Sequence, residues 1–225
     1  SVISTGLEAE HGISYEAGIK SNWLKQHLYA EVNGFYYRLH NTIVVRRTPT
    51  GADYFVNAGS TRQQGIESQA TYQFLQRSKC FISNARIFIS HTWNNFRYLD
   101  FKKDTISYKD KRLPSVAPNI VAFGLDIFTK PGLYANITWF YSDPIPLNDV
   151  NSVVAGSYQL TEARIGWRKP IGKKIMMNVF AGADNLFDAR YSLGNDINMS
   201  NGRFYNAAAG RNYFAGAAFN FSCNK

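Results

Sequence analysis

Four histidines, two cysteines and a few close acid pairs are the residues of this 225-residue chain that could do catalytic or metal chemistry. His11, His27, His40 and His91 are scattered, without H-x-x-x-H spacing, and Cys80 and Cys223 do not form a C-x-x-C pair. No EF-hand loop occurs, and no Ser–His–acid arrangement can be read from spacing, because a triad is defined by geometry. Paired acids such as Glu8 and Glu10 read as solvated. The sequence therefore predicts no catalysis, no metal site and no cofactor. Lys and Arg outnumber Asp and Glu by 25 to 16, a net charge of +9. Such an excess serves as solvated surface, as attraction for nucleic acid, or as attraction for anionic headgroups or an anionic ligand at an entrance. No nucleic-acid motif supports the second reading.

The elements that must position these residues are strands. Period-2 alternation recurs along the chain. In residues 133–142, Leu133, Ala135, Ile137, Trp139 and Tyr141 oppose Asn136, Thr138 and Ser142. In residues 81–93, Phe81, Ala85, Ile87, Ile89 and Trp93 oppose Asn84, Arg86, Ser90 and Thr92, with Phe88 as the exception. About nine strands are predicted, near 13–22, 27–45, 54–75, 80–97, 116–129, 132–143, 156–170, 174–190 and 205–221. No apolar run approaches the ~18 residues of a transmembrane helix. Yet charged residues make up only 18% and aromatics 15%. Short connections (22–26, 76–79, 130–132, 171–173) alternate with long ones (46–53, 98–115, 143–155, 191–204). Tight turns on one side, long loops on the other and aromatics near strand ends describe an all-β antiparallel transmembrane barrel. An odd strand number leaves open edges, which lipid does not tolerate. The expectation is therefore a segment of a larger barrel, with no leader visible.

More specific stretches carry a family resemblance. Residues 7–22, LEAEHGISYEAGIKSN, resemble the L-x-x-E-x-x-x-S-Y-E-x-G-x-K segment of TonB-dependent outer-membrane receptors. Tyr54-Phe55-Val56-Asn57-Ala58-Gly59 and Gly65-Ile66-Glu67 are similar to that family's Y-x-N-x-G … G-x-E strand. Leu113–Asn119 resembles its Pro-bearing strand entry, and Asn185-Leu186-Phe187-Asp188 with Tyr191 its N-L-F-D-x-x-Y element. Gly210-Arg211-Asn212-Tyr213 and the final Phe219-Asn220-Phe221 resemble its closing strand, with Ser222–Lys225 as an unusual extension. The resemblance implies that residues 1–225 are the C-terminal part of a 22-stranded barrel, its plug domain and N-terminal strands lying outside them. It implies uptake of a scarce nutrient across the outer membrane of a Gram-negative bacterium, with a ferric siderophore first among cargoes. Haem, a corrinoid or a glycan are alternatives, as are a non-transporting barrel (adhesin or structural) and a soluble all-β binding module. Implied partners are the TonB–ExbB–ExbD complex, acting through the plug, and outer-membrane lipid or lipopolysaccharide, but no nucleic acid.

An anionic, aromatic cargo calls for cations beside ring faces. The long loops supply Arg46, Arg47, Tyr98, Phe101, Tyr108, Lys111, Arg112, Arg203 and Tyr205 as ligand-binding candidates. His11, on the predicted loop before the first strand, is the candidate for a haem-type cargo, a solvated loop histidine being the other reading. Alternation turns Glu67, Gln69, Arg86, Glu162, Arg164 and Arg168 into the lumen, along with Gln73 and Asn84. There they meet a plug or pair with each other across strands. Cys80 and Cys223, five strands apart, are predicted not to bond.

Overall fold

The computed structural model describes residues 6–48, 50–57, 59–103, 106–199 and 202–221, without the side chains of Arg46, Arg47 and Lys103. One antiparallel sheet of nine strands dominates it: β1 (His11–Trp23), β2 (Leu28–His40), β5 (Thr61–Leu75), β6 (Ile82–Tyr98), β9 (Asn119–Thr129), β10 (Leu133–Ser142), β13 (Tyr158–Ile171), β14 (Ile175–Asp184) and β15 (Asn212–Phe221). Each pairs with its neighbour in sequence order, so the sheet is an up-and-down meander. Three two-stranded ribbons stand in the long loops: β3 (Ile43–Arg47) with β4 (Asp53–Asn57), β7 (Lys102–Lys103) with β8 (Ile106–Ser107), and β11 (Ile145–Pro146) with β12 (Val154–Ala155).

Nine main strands were expected and nine are found, but the expected strand 54–75 is split between β4, which joins a side ribbon, and β5, which enters the main sheet only at Thr61, and three other ends differ. The expected strand 27–45 stops at His40, because Asn41 turns to φ 55° and the chain starts the β3–β4 ribbon. The expected strand 174–190 stops at Asp184, where Asn185 adopts φ 47°. Asn185 is buried, accepts the Ala189 N–H (2.8 Å) and donates to the Ala189 and Ala209 carbonyls (2.9 and 3.4 Å). Asp188 accepts the Arg211 N–H (2.8 Å). The N-L-F-D segment is thus a corner that ties the last loop to the foot of β15. The third difference is that β15 starts at Asn212, not near 205.

In-register partners share a face, so the pairing carries the two faces across the whole sheet. One row runs Tyr72, Ile87, Leu125, Ile137, Ala163, Ala183. The row of opposite parity runs Gln73, Arg86, Asp126, Asn136, Arg164, Gly182. The first face is apolar and outermost: Ile19, Val32, Ile66, Ile89, Ile137, Ile165, Val179 and Phe219 are all exposed on it. Exposed apolar surface on this scale marks an interface with another apolar phase, here the lipid. A soluble sandwich buries that face against a second sheet, and the one large sheet has no such partner among the described residues.

Phe88 broke the sequence alternation, and the pairing explains it. Phe88 faces Gly124 across the β6–β9 pair, and its ring lies where a Gly124 side chain would stand. A Cβ at Gly124 would come within 2.0 Å of that ring. Tyr134 covers Gly166, and Phe180 covers Gly216, in the same way. A polar-face aromatic is accommodated wherever the next strand offers no side chain to collide with it.

Buried apolar residues cluster in the long loops, away from the middle of the sheet. Tyr98, Phe101 and Tyr108 form one cluster, and Leu147, Ala155 and Phe204 another. Asp149 joins them: it accepts the Tyr98 hydroxyl (2.6 Å) and the Asn198 amide (3.2 Å), while its own N–H reaches Asn198 Oδ1 (3.0 Å). Asn151 and Arg112 exchange hydrogen bonds at 2.8 and 2.9 Å. Three loops are therefore one knitted cap on the long-loop rim.

Candidate functional site

The polar face of the sheet is the inner wall, and charged side chains on it are held in two ways. Arg86 is satisfied within the wall. Its Nε and Nη2 donate to Asp126 Oδ2 at 2.9 and 2.5 Å, and Asn136 donates to the other oxygen at 2.6 Å. Asp126 is buried and Arg86 half-exposed. This is cross-strand pairing, so Arg86 is neutralised in place.

Arg164 differs. Its guanidinium lies 3.6 Å from the centroid of the Phe180 ring and 5.9 Å from that of Tyr134. Its Nε is buried and has no hydrogen-bond partner among the described residues. Tyr134 is itself anchored by donating to Asn178 (3.0 Å), and Arg168 stands 5.6 Å from the same ring. A cation held on ring faces is attracted by their quadrupoles, yet one of its donors stays unsatisfied. Buried donors are seldom left so. Glu162 and Glu67 are exposed on this face, and Gln69 donates to Glu31 (3.0 Å), which also accepts the Tyr29 hydroxyl.

Nearer the loop rim, Phe140, Tyr158 and Tyr191 form a ladder with centroid separations of 5.8 and 4.6 Å. Phe140 and Tyr158 carry inner-wall parity, in register with Ala122 and Ser142. These rings, and the acid Asp126, did not emerge from the sequence. Tyr191 belongs to the N-L-F-D-x-x-Y element, but only strand pairing shows which ring it meets.

The loop candidates divide. Tyr98, Phe101 and Tyr108 are buried against one another, with centroids 5.3 and 5.1 Å apart. Their faces pack on one another and shape the cap. Lys111, Arg112, Arg203 and Tyr205 are exposed, and the Tyr205 hydroxyl donates to the Val154 carbonyl (3.0 Å). Arg46 and Arg47 pair along the backbone with Tyr54 and Asp53, and their side chains lie outside the described residues. His11 is the first residue of β1, not a loop residue, and its ring stacks on His40 at 5.1 Å. Cys80 is free and exposed, and Cys223 lies outside the described residues.

Comparison with solved structures places this sheet among known barrels. The chain is similar to the ferric yersiniabactin uptake receptor FyuA from Yersinia pestis, at 20% identity and a TM-score of 0.70, covering 95% of this chain and 30% of that one. It is similar to BauA, the ferric preacinetobactin receptor from Acinetobacter baumannii, at 15% identity and 0.70, covering 93% and 29%. It is also similar to the copper transporter OprC, at 18% and 0.72, covering 96% and 32%. The chain thus spans about a third of the length of each. Residues 1–186 match the family model described as TonB dependent receptor-like, beta-barrel. The chain belongs to the TonB-dependent receptor β-barrel family, which resides in the outer membrane of Gram-negative bacteria.

Proposed function

We propose that this chain is part of the wall of a receptor that imports a scarce nutrient, a ferric siderophore foremost, with energy delivered by TonB–ExbB–ExbD through a plug domain. The observation that carries the reading is Arg164. It is held on Phe180 on the inner wall with a buried N–H that no described residue satisfies. A polar plug surface in the lumen supplies the acceptor that such a donor needs. Glu67, Gln69, Glu162 and Arg168 line the same face and extend the plug contact. The Phe140–Tyr158–Tyr191 ladder at the rim, with exposed Lys111 and Arg203, gives an anionic aromatic chelate ring faces and charge together.

The test is uptake of radiolabelled iron by cells carrying or lacking the complete receptor, with a panel of ferric chelates, haem and a corrinoid. Chelate-dependent uptake abolished by a proton-gradient uncoupler supports the reading. Uptake restricted to haem or the corrinoid would move the cargo. No receptor-dependent uptake of any of them would leave a non-transporting barrel.

A further inference from the structure

The outer wall carries a row of like charges that the transport reading does not use. On the lipid-facing parity, Arg38, Arg62 and Arg97 are direct cross-strand partners on β2, β5 and β6. Arg97 also bridges Arg112 in the next loop. Four guanidinium-bearing residues therefore stand side by side on four adjacent chain segments, spaced about 4.8 Å per strand. Like charges directly opposite each other destabilise a sheet. A sheet that keeps four in a row has a counter-charge.

That counter-charge is not protein among the described residues. None of the four forms an ion pair with another described residue. Arg97 donates to Asn95 (2.8 Å) and to the Asp110 backbone carbonyl (2.5 Å), not to a carboxylate. Asp100 accepts from the Ser60 N–H and hydroxyl. Arg62 Nε is buried with no hydrogen-bond partner among the described residues, as Arg164 Nε is. The two orphaned guanidinium nitrogens lie on opposite faces of the wall.

The height of the row indicates what reaches it. Directly beneath, on the same face, come Tyr36, Gln64 and Asn95, and beneath those Ile66 and Trp93. Four residues from Trp93 to Arg97 raise the row about 10 Å above the aromatic belt, given ~3.4 Å per residue and a tilt near 40°. This is headgroup depth in the outer leaflet. A cleft of about 170 Å³ runs along the wall from Trp93 and Asn95 to Arg97 and Arg112.

We propose that Arg38, Arg62, Arg97 and Arg112 form a binding row for the phosphates of a phosphorylated glycolipid of the outer leaflet, whose acyl chains descend over Trp93 and Ile66. Guanidinium forks fit phosphate in bidentate geometry, and charge-assisted bonds of this kind are the strong ones. The proposal rests on the outer-membrane placement and is independent of the cargo.

The test uses the complete receptor in detergent micelles, with bound lipid counted by native mass spectrometry. Diphosphorylated lipid A, its dephosphorylated form and inorganic phosphate are offered separately. Wild-type protein retains diphosphorylated lipid A. R62A/R97A retains it at least about tenfold less, and R62K/R97K recovers part of the loss. K173A/K174A, which removes two charges at the opposite rim, leaves retention unchanged. Folding is checked by heat-modifiable gel migration, and R62Q/R97Q replaces the alanine variant if that one fails to assemble. Equal retention by wild type and the Arg variants overturns the proposal. So does equal binding of dephosphorylated lipid A, and competition by inorganic phosphate at the lipid's own concentration would make the row a free-phosphate site instead. Nutrient uptake in the same variants separates the two readings: lipid is lost while transport persists.

Discussion

Ile137 and Thr138 are neighbours on β10, and their side chains leave the sheet on opposite sides. Ile137 lies between Leu125 and Ala163 on the lipid face and is 42% exposed. Thr138 lies between Gly124 and Glu162 on the inner wall. Arginine at each position adds the same charge, one residue apart, to two different solvents. Four residues separate Ile137 from Leu133 and four from Tyr141. At ~3.4 Å per residue and a tilt near 40°, that places it about 10 Å from either interface. An arginine at the bilayer midplane costs about 2–4 kcal/mol. Thr138→Arg enters water beside the Phe88 ring that covers Gly124 on one side and the Glu162 carboxylate on the other, and should change stability by only about 0.5 kcal/mol. The difference, about 1.5–3.5 kcal/mol, is roughly 13- to 370-fold in the folding equilibrium. Denaturant titration of the complete barrel in phosphatidylcholine vesicles, read by heat-modifiable gel migration, measures it. If Thr138→Arg proves as costly as Ile137→Arg, the assignment of faces is wrong, and with it every lumen residue named above.

Three further outcomes follow from local geometry. Gly124→Leu forces Phe88 off its seat and should destabilise the barrel by about 1–3 kcal/mol, an overpacking cost; Gly124→Leu with Phe88→Ala should recover much of it in a double-mutant cycle. Asn185→Ala removes three hydrogen bonds at a buried corner and should cost about 1–3 kcal/mol, seen as slower or incomplete assembly of β15 on gels. Asp149→Ala frees Tyr98 and Asn198 at once, so protease cleavage within residues 99–118 should rise while the sheet keeps its heat-modifiable band.

Alternation made the strands and their faces legible, because a half-lipid, half-water sheet repeats with period two. Trp139 and Ile137 needed nothing beyond their own strand. Phe88 did not fit, since its neighbour Gly124 sits 36 residues away and only register brings them together. The strand ends were misread at Asn41 and Asn185 for a related reason: apolar residues continue past both, and a positive φ in an Asn leaves little trace in hydropathy. The packing of Tyr98, Phe101 and Tyr108 on one another leaves no mark in the sequence, because loop aromatics look alike whether packed or presented. The Arg38–Arg62–Arg97 row was invisible for the same reason as Asp126 beside Arg86. Each is a cross-strand fact, assembled from residues 24 to 40 positions apart.

The rings that cover Gly124, Gly166 and Gly216 also set the relief of the inner surface. Each lies along the wall over a neighbour with no side chain, so it projects by little more than the thickness of one aromatic ring, about 3.5 Å. Side chains standing upright in those places would present knobs and sockets, and a body in the lumen would interlock with them. A wall tiled this way has low corrugation: Arg164 already rests on two of the tiles, and a contact made against a flat ring is exchanged for the next one without climbing over an obstacle. The glycines thus do more than make room for three aromatics. They make the lumen a surface along which a packed body can slide.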